Sequence, residues 1–268
     1  MFLRRSKRRY LTLLSCFLAG LFTFAALQNI PPPPAGDDDK HRSKVFVIGL
    51  SKTGTTSLGD ALSRLSFRRL GWEDLRSRWL FHSYLGHDLS PMISLTHSYD
   101  AFEDLPWPLV YQDMALLYPD AKFILTRRKD EQSWLRSITE HTARRKWIGH
   151  DFTYGAAQAK GHESTYLEAY RNHTSSVRSF FASHGNGTRL LEWVIDRTET
   201  VDGDKELWGT LLRFLDMEDT EEMRIELGQF PWTNQTSSWR ERYIFMGILK
   251  LWDRVVFFLE EVLLGSCV

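Results

Sequence analysis

Cysteine is nearly absent from this 268-residue chain, and the two that occur, Cys16 and Cys267, sit at its extremes. Neither is placed to bridge a central domain, and a cysteine-based zinc site is excluded. An excess of charge of one sign is also lacking. Lys+Arg and Asp+Glu both number 34, so the formal net charge is zero and bulk nucleic-acid binding gains no support. A third absence is local. Nucleotide hydrolases carry a lysine directly after the second glycine of G-x-x-x-x-G-K-[ST]. In the stretch Val45–Leu58, VFVIGLSKTGTTSL, Thr55 stands in that place, and the loop's lysine, Lys52, precedes Gly54 instead. That disfavours an ordinary ATPase or GTPase.

What is present in the same stretch is a phosphate cradle. Val45, Phe46, Val47 and Ile48 are apolar and mostly β-branched, the pattern of a buried strand. Gly49 ends it, Gly54 follows, and Thr55, Thr56, Ser57 and Leu58 open a helical pattern. Loop N–H groups and the positive end of a helix dipole then converge on an anion. The alternative is a Gly/Thr-rich turn that merely leads into a structural helix.

The N-terminus has its own logic. Arg4, Arg5, Lys7, Arg8 and Arg9 precede eighteen uncharged residues, Tyr10 to Leu27, just enough to span a bilayer. The basic cluster stays cytoplasmic under the positive-inside rule, which sends the remainder into a lumen. Ala25-Ala26-Leu27 offers no clean small-x-small cleavage site, so an uncleaved signal anchor is expected over a cleaved signal peptide. Pro31–Pro34 and Asp37–Asp39 read as a stiff, solvated stem. Asn172-His-Thr, Asn186-Gly-Thr and Asn234-Gln-Thr are acceptor triplets for N-glycans, in keeping with a luminal domain.

Along that domain, strands are expected at 45–48, 122–126 and 188–195, with 67–72 either a short strand or an irregular return. Helices are expected from Ser57 to Leu65, from Asp130-Glu131 to about Thr142, from Tyr166 to Phe181 and from Glu206 to Leu215. Glu73–Thr96 reads as helix and loop, and Trp147–Gly161 as loop. Tyr99–Leu105 approaches Pro106 and Pro108, which suit a first helical turn, so a helix is expected to start there and run to about Tyr118. Strands alternating with helices imply a doubly wound, mostly parallel sheet with ligand at the carboxyl ends of its strands. Ser238–Leu264 carries a broad apolar stripe broken by Arg254, Glu260 and Glu261. It reads as a helix docked on the domain or lying in the membrane interface rather than as a second span.

The set Gly49, Lys52, Gly54, Thr55 and Thr56 closely resembles the 5′-phosphosulfate loop of sulfotransferases. These enzymes take the sulfuryl group from 3′-phosphoadenosine 5′-phosphosulfate (PAPS). The resemblance implies that Ser51, Lys52, Thr53, Gly54, Thr55, Thr56 and Ser57 bind the donor. Lys52 would act as a mobile cation on the leaving oxygen, an arrangement that needs no metal. In cytosolic members a base-bearing His-Leu-Pro precedes a helix and then the second phosphate-binding strand. Asp104-Leu105-Pro106 stands in the same relation to Lys122–Thr126, so the resemblance puts Asp104 in the position of the base. Asp100 and Glu103 are its acidic neighbours and His97 is the second candidate base. Alternatively Asp104 only caps a helix. The family also holds the 3′-phosphate with an arginine after the second strand and a serine eight residues on. In FILTRRKDEQSWLRSI the interval from Arg128 to Ser137 is nine, which implies a one-residue insertion. The pair is assigned to Arg128 and Ser137, with Arg127 and Ser133 left as rivals and an exposed basic turn as the alternative. Tyr170, His173, Val177, Phe180-Phe181, Trp208 and Phe230-Pro231 follow the order of a sulfotransferase subfamily, so the resemblance spans about 44–236.

The expected organisation is a cytoplasmic tail (1–9), transmembrane anchor (10–27), stem (28–43), luminal domain (44–236) and amphipathic C-terminal segment (237–268). The luminal domain has a three-layer P-loop-type α/β fold, and the layout is that of a type II Golgi enzyme. The acceptor would be a hydroxyl or amine on a glycan or small molecule. The rival readings are a P-loop kinase or nucleotide-binding protein, and a non-catalytic membrane protein with a degenerate loop.

Overall fold

The alternation along β1 (Val45–Val47) explains the layering. Phe46 and Ile48 point into one apolar cluster, while Val45 and Val47 point into another on the opposite face. A strand buried on both faces is what a parallel sheet requires. β1 pairs in parallel with β3 (Ala101–Glu103) and with β4 (Lys122–Arg127). β2 (Arg69–Leu70) adds to β3 and β5 (Leu190–Val194) to β4, both parallel, giving the order β2-β3-β1-β4-β5. This computed structural model describes residues 42–232 apart from 73, 145–146, 185–187 and 195–199.

The first cluster joins Phe46, Phe102 and Phe123 to helices α2 (Leu75–Leu85), α3 (Ser90–Thr96), α4 (Tyr111–Leu117) and α7 (Glu163–His184). Across three adjacent strands the rings stack, Phe46 on Phe102 at 4.7 Å and on Phe123 at 5.2 Å between centroids. On the other face lie α1 (Thr55–Arg64) and α8 (Val201–Phe214), through Leu58, Ala61, Leu62, Trp208, Leu211 and Leu212, with α9 (Glu221–Leu227) at the margin. A third cluster, Leu50, Trp134, Ile138, Tyr154, Tyr166 and Tyr170, wedges α5 (Glu131–Ala143), α6 (Ile148–Tyr154) and α7 behind the loop that follows β1. The architecture is thus the mostly parallel, helix-flanked α/β sheet that the sequence implies.

Two elements differ from the sequence reading. The helix expected to run from Pro106/Pro108 to Tyr118 is a 3₁₀ turn at Trp107–Leu109 and then α4, and the approach to it contains β3. Ala-Phe-Glu lacks the β-branched signature of a strand, and its Glu103 is buried because Arg69 on β2 meets it at 2.6 Å. The expected loop from Trp147 contains α6, whose Tyr154 and His150 are buried against α5 and α7 rather than solvated. Among the described residues no helix is long and apolar enough to cross a membrane. The proposed anchor at 10–27, most of the stem, Asn186, Asn234 and the C-terminal segment 237–268 all lie outside the described residues.

Candidate active site

The β1–α1 loop turns at the carboxyl end of the sheet, and its shape depends on close packing. A Cβ on Gly49 would lie 2.0 Å from the hydroxyl and 2.4 Å from the carbonyl oxygen of Thr126. Only glycine lets β1 pass β4 this closely. Lys52 (φ 72°) and Gly54 (φ 102°) both take left-handed backbone, which swings the intervening peptides over the start of α1. For lysine this conformation is uncommon and costs energy. Thr53 faces inward: its hydroxyl bonds the Leu50 carbonyl at 2.6 Å and the Thr126 hydroxyl at 2.7 Å. Its side chain therefore braces the loop on β4.

Gly54 is the N-cap of α1 and offers no side-chain oxygen, and the first turn contains no acidic residue. The N–H groups of Thr55, Thr56 and Ser57 thus open a helix to which the N-cap residue gives no side-chain bond. All three residues are buried at the base of the loop.

Asp104 arrives from the next strand over. β3 runs parallel to β1 with Val47 beside Glu103, so the residue after each strand emerges at the same end of the sheet. There Asp104 also takes left-handed backbone, φ 62°. Its Oδ1 accepts the Ser51 hydroxyl at 2.7 Å and the Leu105 N–H at 2.8 Å. Burial lifts its carboxyl above the ordinary range, against the opposing pull of those two donors, the Lys52 charge and the Thr55 hydroxyl. The helix-cap role does not occur, because Pro106 is the N-cap of the 3₁₀ turn. The neighbouring acids are spent elsewhere. Asp100 holds Arg68 through two bonds, 2.7 and 2.8 Å, and Glu103 holds Arg69. His97 is exposed at the end of α3, before β3 begins, so it stands at the amino ends of the strands, away from the loop.

Lys52 is held below the ordinary lysine range chiefly by burial, with Asp104 opposing and Arg128 and Arg144 adding to the shift. A cation and a carboxylate therefore meet at one anion-accepting helix start, each pushed toward its neutral form by burial. His141 on α5 feels the same surroundings. Burial, then the Lys52 charge, bring its imidazole down to about 3, so it is neutral at physiological pH.

The two arginines after β4 separate cleanly. Arg128 donates Nε–H to the Lys52 carbonyl at 2.9 Å and so belongs to the loop. Arg127 pairs with Glu192 of β5 at 3.0 Å. Ser133 also separates from Ser137. Its N–H and hydroxyl bond the Asp130 carboxylate at 2.6 and 2.8 Å, closing the cap of α5, whereas the half-buried Ser137 lies one turn further on. Beside Arg127 and Arg128 a cavity of about 340 Å³ opens toward Tyr170, Arg171 and Arg178 of α7. Residues beyond the sequence reading are His141, His150 and Tyr154. Their helices carry no phosphate or catalytic motif, and only the packing of α5 and α6 against the loop brings them near.

Residues 44–152, from the start of β1 into α6, match the family model described as a sulfotransferase domain. The Ava biosynthesis cluster protein M of Aspergillus versicolor is 28% identical over 191 residues, covering 56% of this chain and 70% of that protein. The crystal structure of a sulfotransferase from Alicyclobacillus acidocaldarius aligns with a TM-score of 0.47 at 16% identity, over 83% of this chain and 96% of that one. Lys52, Asp104 and Arg128 all lie inside the span that matches the sulfotransferase-domain model.

Proposed function

We propose that this protein transfers a sulfuryl group from PAPS to an acceptor hydroxyl or amine, with Asp104 as base and Lys52 as the cation on the leaving side. The observation that carries the reading is the 2.7 Å bond from Ser51 to Asp104. It ties the one carboxylate emerging from β3 to the loop that would hold the donor, so base and phosphate cradle are parts of one site. The 5′-phosphate would rest on the N–H groups of Thr55, Thr56 and Ser57, where helix dipole and loop donors converge. Arg128 and Ser137 would hold the 3′-phosphate, and the cationic cavity beside Arg128 supports an anion on that side.

In the step itself the acceptor oxygen forms a bond to sulfur as its proton passes to Asp104. The bond from sulfur to the bridging oxygen breaks, and the electron pair stays with the departing phosphate. Lys52 meets that developing charge as a point cation. A carboxylate raised by burial is a better proton acceptor than a solvated one. The proposal extends to a type II Golgi enzyme anchored by residues 10–27, with a glycan or other secretory-pathway acceptor. N-glycans would sit at Asn172, exposed on α7, and at the two triplets further on.

Labelled PAPS offered with a panel of glycans, steroids and peptides identifies the acceptor. On whichever acceptor is turned over, Asp104→Asn is expected to lower kcat by about 10³-fold. Calorimetric binding of adenosine 3′,5′-bisphosphate should survive the change. Magnesium-dependent ATP binding in place of bisphosphate binding would overturn the donor, and undiminished turnover would overturn the base.

A further inference from the structure

A carboxylate has two oxygens, and a base that presents either of them at random is poorly aligned with its proton. Here the two are not equivalent. Oδ1 of Asp104 already accepts two bonds, from the Ser51 hydroxyl and the Leu105 N–H, and the Thr55 hydroxyl is a third donor to the carboxylate. Ser51 is itself fixed, since its carbonyl accepts the indole N–H of the buried Trp134 at 3.1 Å. Behind it stands Tyr154, whose buried phenol faces the side chain and backbone of Ser51. Its ring is stacked on Tyr166 at 4.7 Å between centroids and packed near Trp134, so it has no room to turn away. Burial holds the phenol in its protonated form, which makes it a donor and not an acceptor of charge.

We propose that Ser51 and Tyr154 are positioning residues for Asp104: they commit Oδ1 to the loop and leave Oδ2 as the oxygen that takes the acceptor's proton. Tyr154 donates toward the Ser51 oxygen and Ser51 donates to Oδ1, a short relay in which each bond polarises the next. During transfer the acceptor O–H bond breaks and its proton goes to Oδ2. The new oxygen–sulfur bond forms while the old one breaks toward the donor phosphate, and the relay itself moves no proton. The inference rests on Asp104 being the base. The charged and titratable groups around it are Lys52 of the loop and Tyr154 of α6, with Arg128, Glu140 and Arg144 acting on Lys52.

The test reads Asp104 directly. In the full chain carrying carboxyl-¹³C aspartate, the resonance lost in Asp104→Asn reports its titration. Removing a donor from the charged form must raise its midpoint, so Ser51→Ala is expected to move it up by about one pH unit and Tyr154→Phe by about half of that. Ser51→Thr, which keeps the hydroxyl, should restore the original value. Sulfate release from labelled PAPS should fall about tenfold in Ser51→Ala, with its acid limb shifted by the same amount. Affinity for adenosine 3′,5′-bisphosphate should stay within about threefold. If Asp104→Asn abolishes transfer but neither Ser51→Ala nor Tyr154→Phe moves the midpoint, positioning is wrong and the base stands. A loss confined to bisphosphate affinity would make Ser51 a donor ligand only, and also overturns the proposal. If Asp104→Asn leaves transfer intact, both readings fall together.

Discussion

Two turns in this molecule begin alike and end differently. Each follows a buried parallel strand, β1 or β4, and each opens a helix at the same end of the sheet. At α5 the start is shut by the chain itself. Asp130 is the N-cap, its carboxylate bonds Ser133, and Glu131 follows in the first turn. At α1 the cap is Gly54, with no side-chain bond and no acid nearby in sequence. A helix start satisfied by its own carboxylates has no call on an external anion, whereas one left open does. The difference teaches where phosphate can go. On the proposed reading the β1 turn would bind through its backbone, while the β4 turn would contribute only side chains, Arg128 first among them.

The sharpest way to break this contrast is to give α1 the acidic first turn that α5 has. Thr55→Asp puts a carboxylate at the place corresponding to Glu131. It should weaken adenosine 3′,5′-bisphosphate binding by about 100-fold or more, measured by calorimetry on variant confirmed as folded by circular dichroism. Binding within a few-fold of the parent would mean that the open helix start is not the anion site. Next in size is the arginine pair. Arg128→Ala should cost about tenfold in affinity for the 3′,5′-bisphosphate and little for a 5′-monophosphate, because a charged hydrogen-bond partner is removed from one phosphate only. Arg127→Ala, which loses a half-exposed pair with Glu192, should change either affinity by less than about twofold. Equal effects from both would erase the distinction drawn between them. The smallest effect lies in opening the closed turn. Asp130→Ala removes a helix cap, read as a small downward shift in the denaturation midpoint, and should leave kcat unchanged.

Much of this was legible before any coordinates. β1 and β4 announce themselves by apolar, partly β-branched runs ending in glycine or arginine, β5 by the largely apolar run from Leu190 to Val194, and α1, α5, α7 and α8 by apolar spacing. β3 was not legible: three residues long, without a β-branched side chain, it is held by its neighbours on both sides rather than by its own propensity. The aspartate that follows it could be named only through the family's order of elements. The choice between Arg127 and Arg128, or Ser133 and Ser137, needed the direction in which each side chain leaves the backbone. The coupling of Ser51 to Asp104 joins residues 53 apart in sequence, and Tyr154 sits on a helix that the sequence presents as loop. Pairings made through space by tertiary packing leave no periodic trace in one sequence.

Gly49 has a consequence for how this protein can change. Of the atoms a new Cβ would strike, two are side-chain oxygens, on Thr53 and Thr126, and one is the backbone oxygen of Thr126 at 2.4 Å. Side chains can be traded away at a second site, but a carbonyl belongs to every residue. No partner substitution at 126 therefore makes room. In a randomised library position 49 should return glycine whatever else has been altered around it, and a lineage drifting toward another donor would have to remodel the rest of the loop about that fixed point.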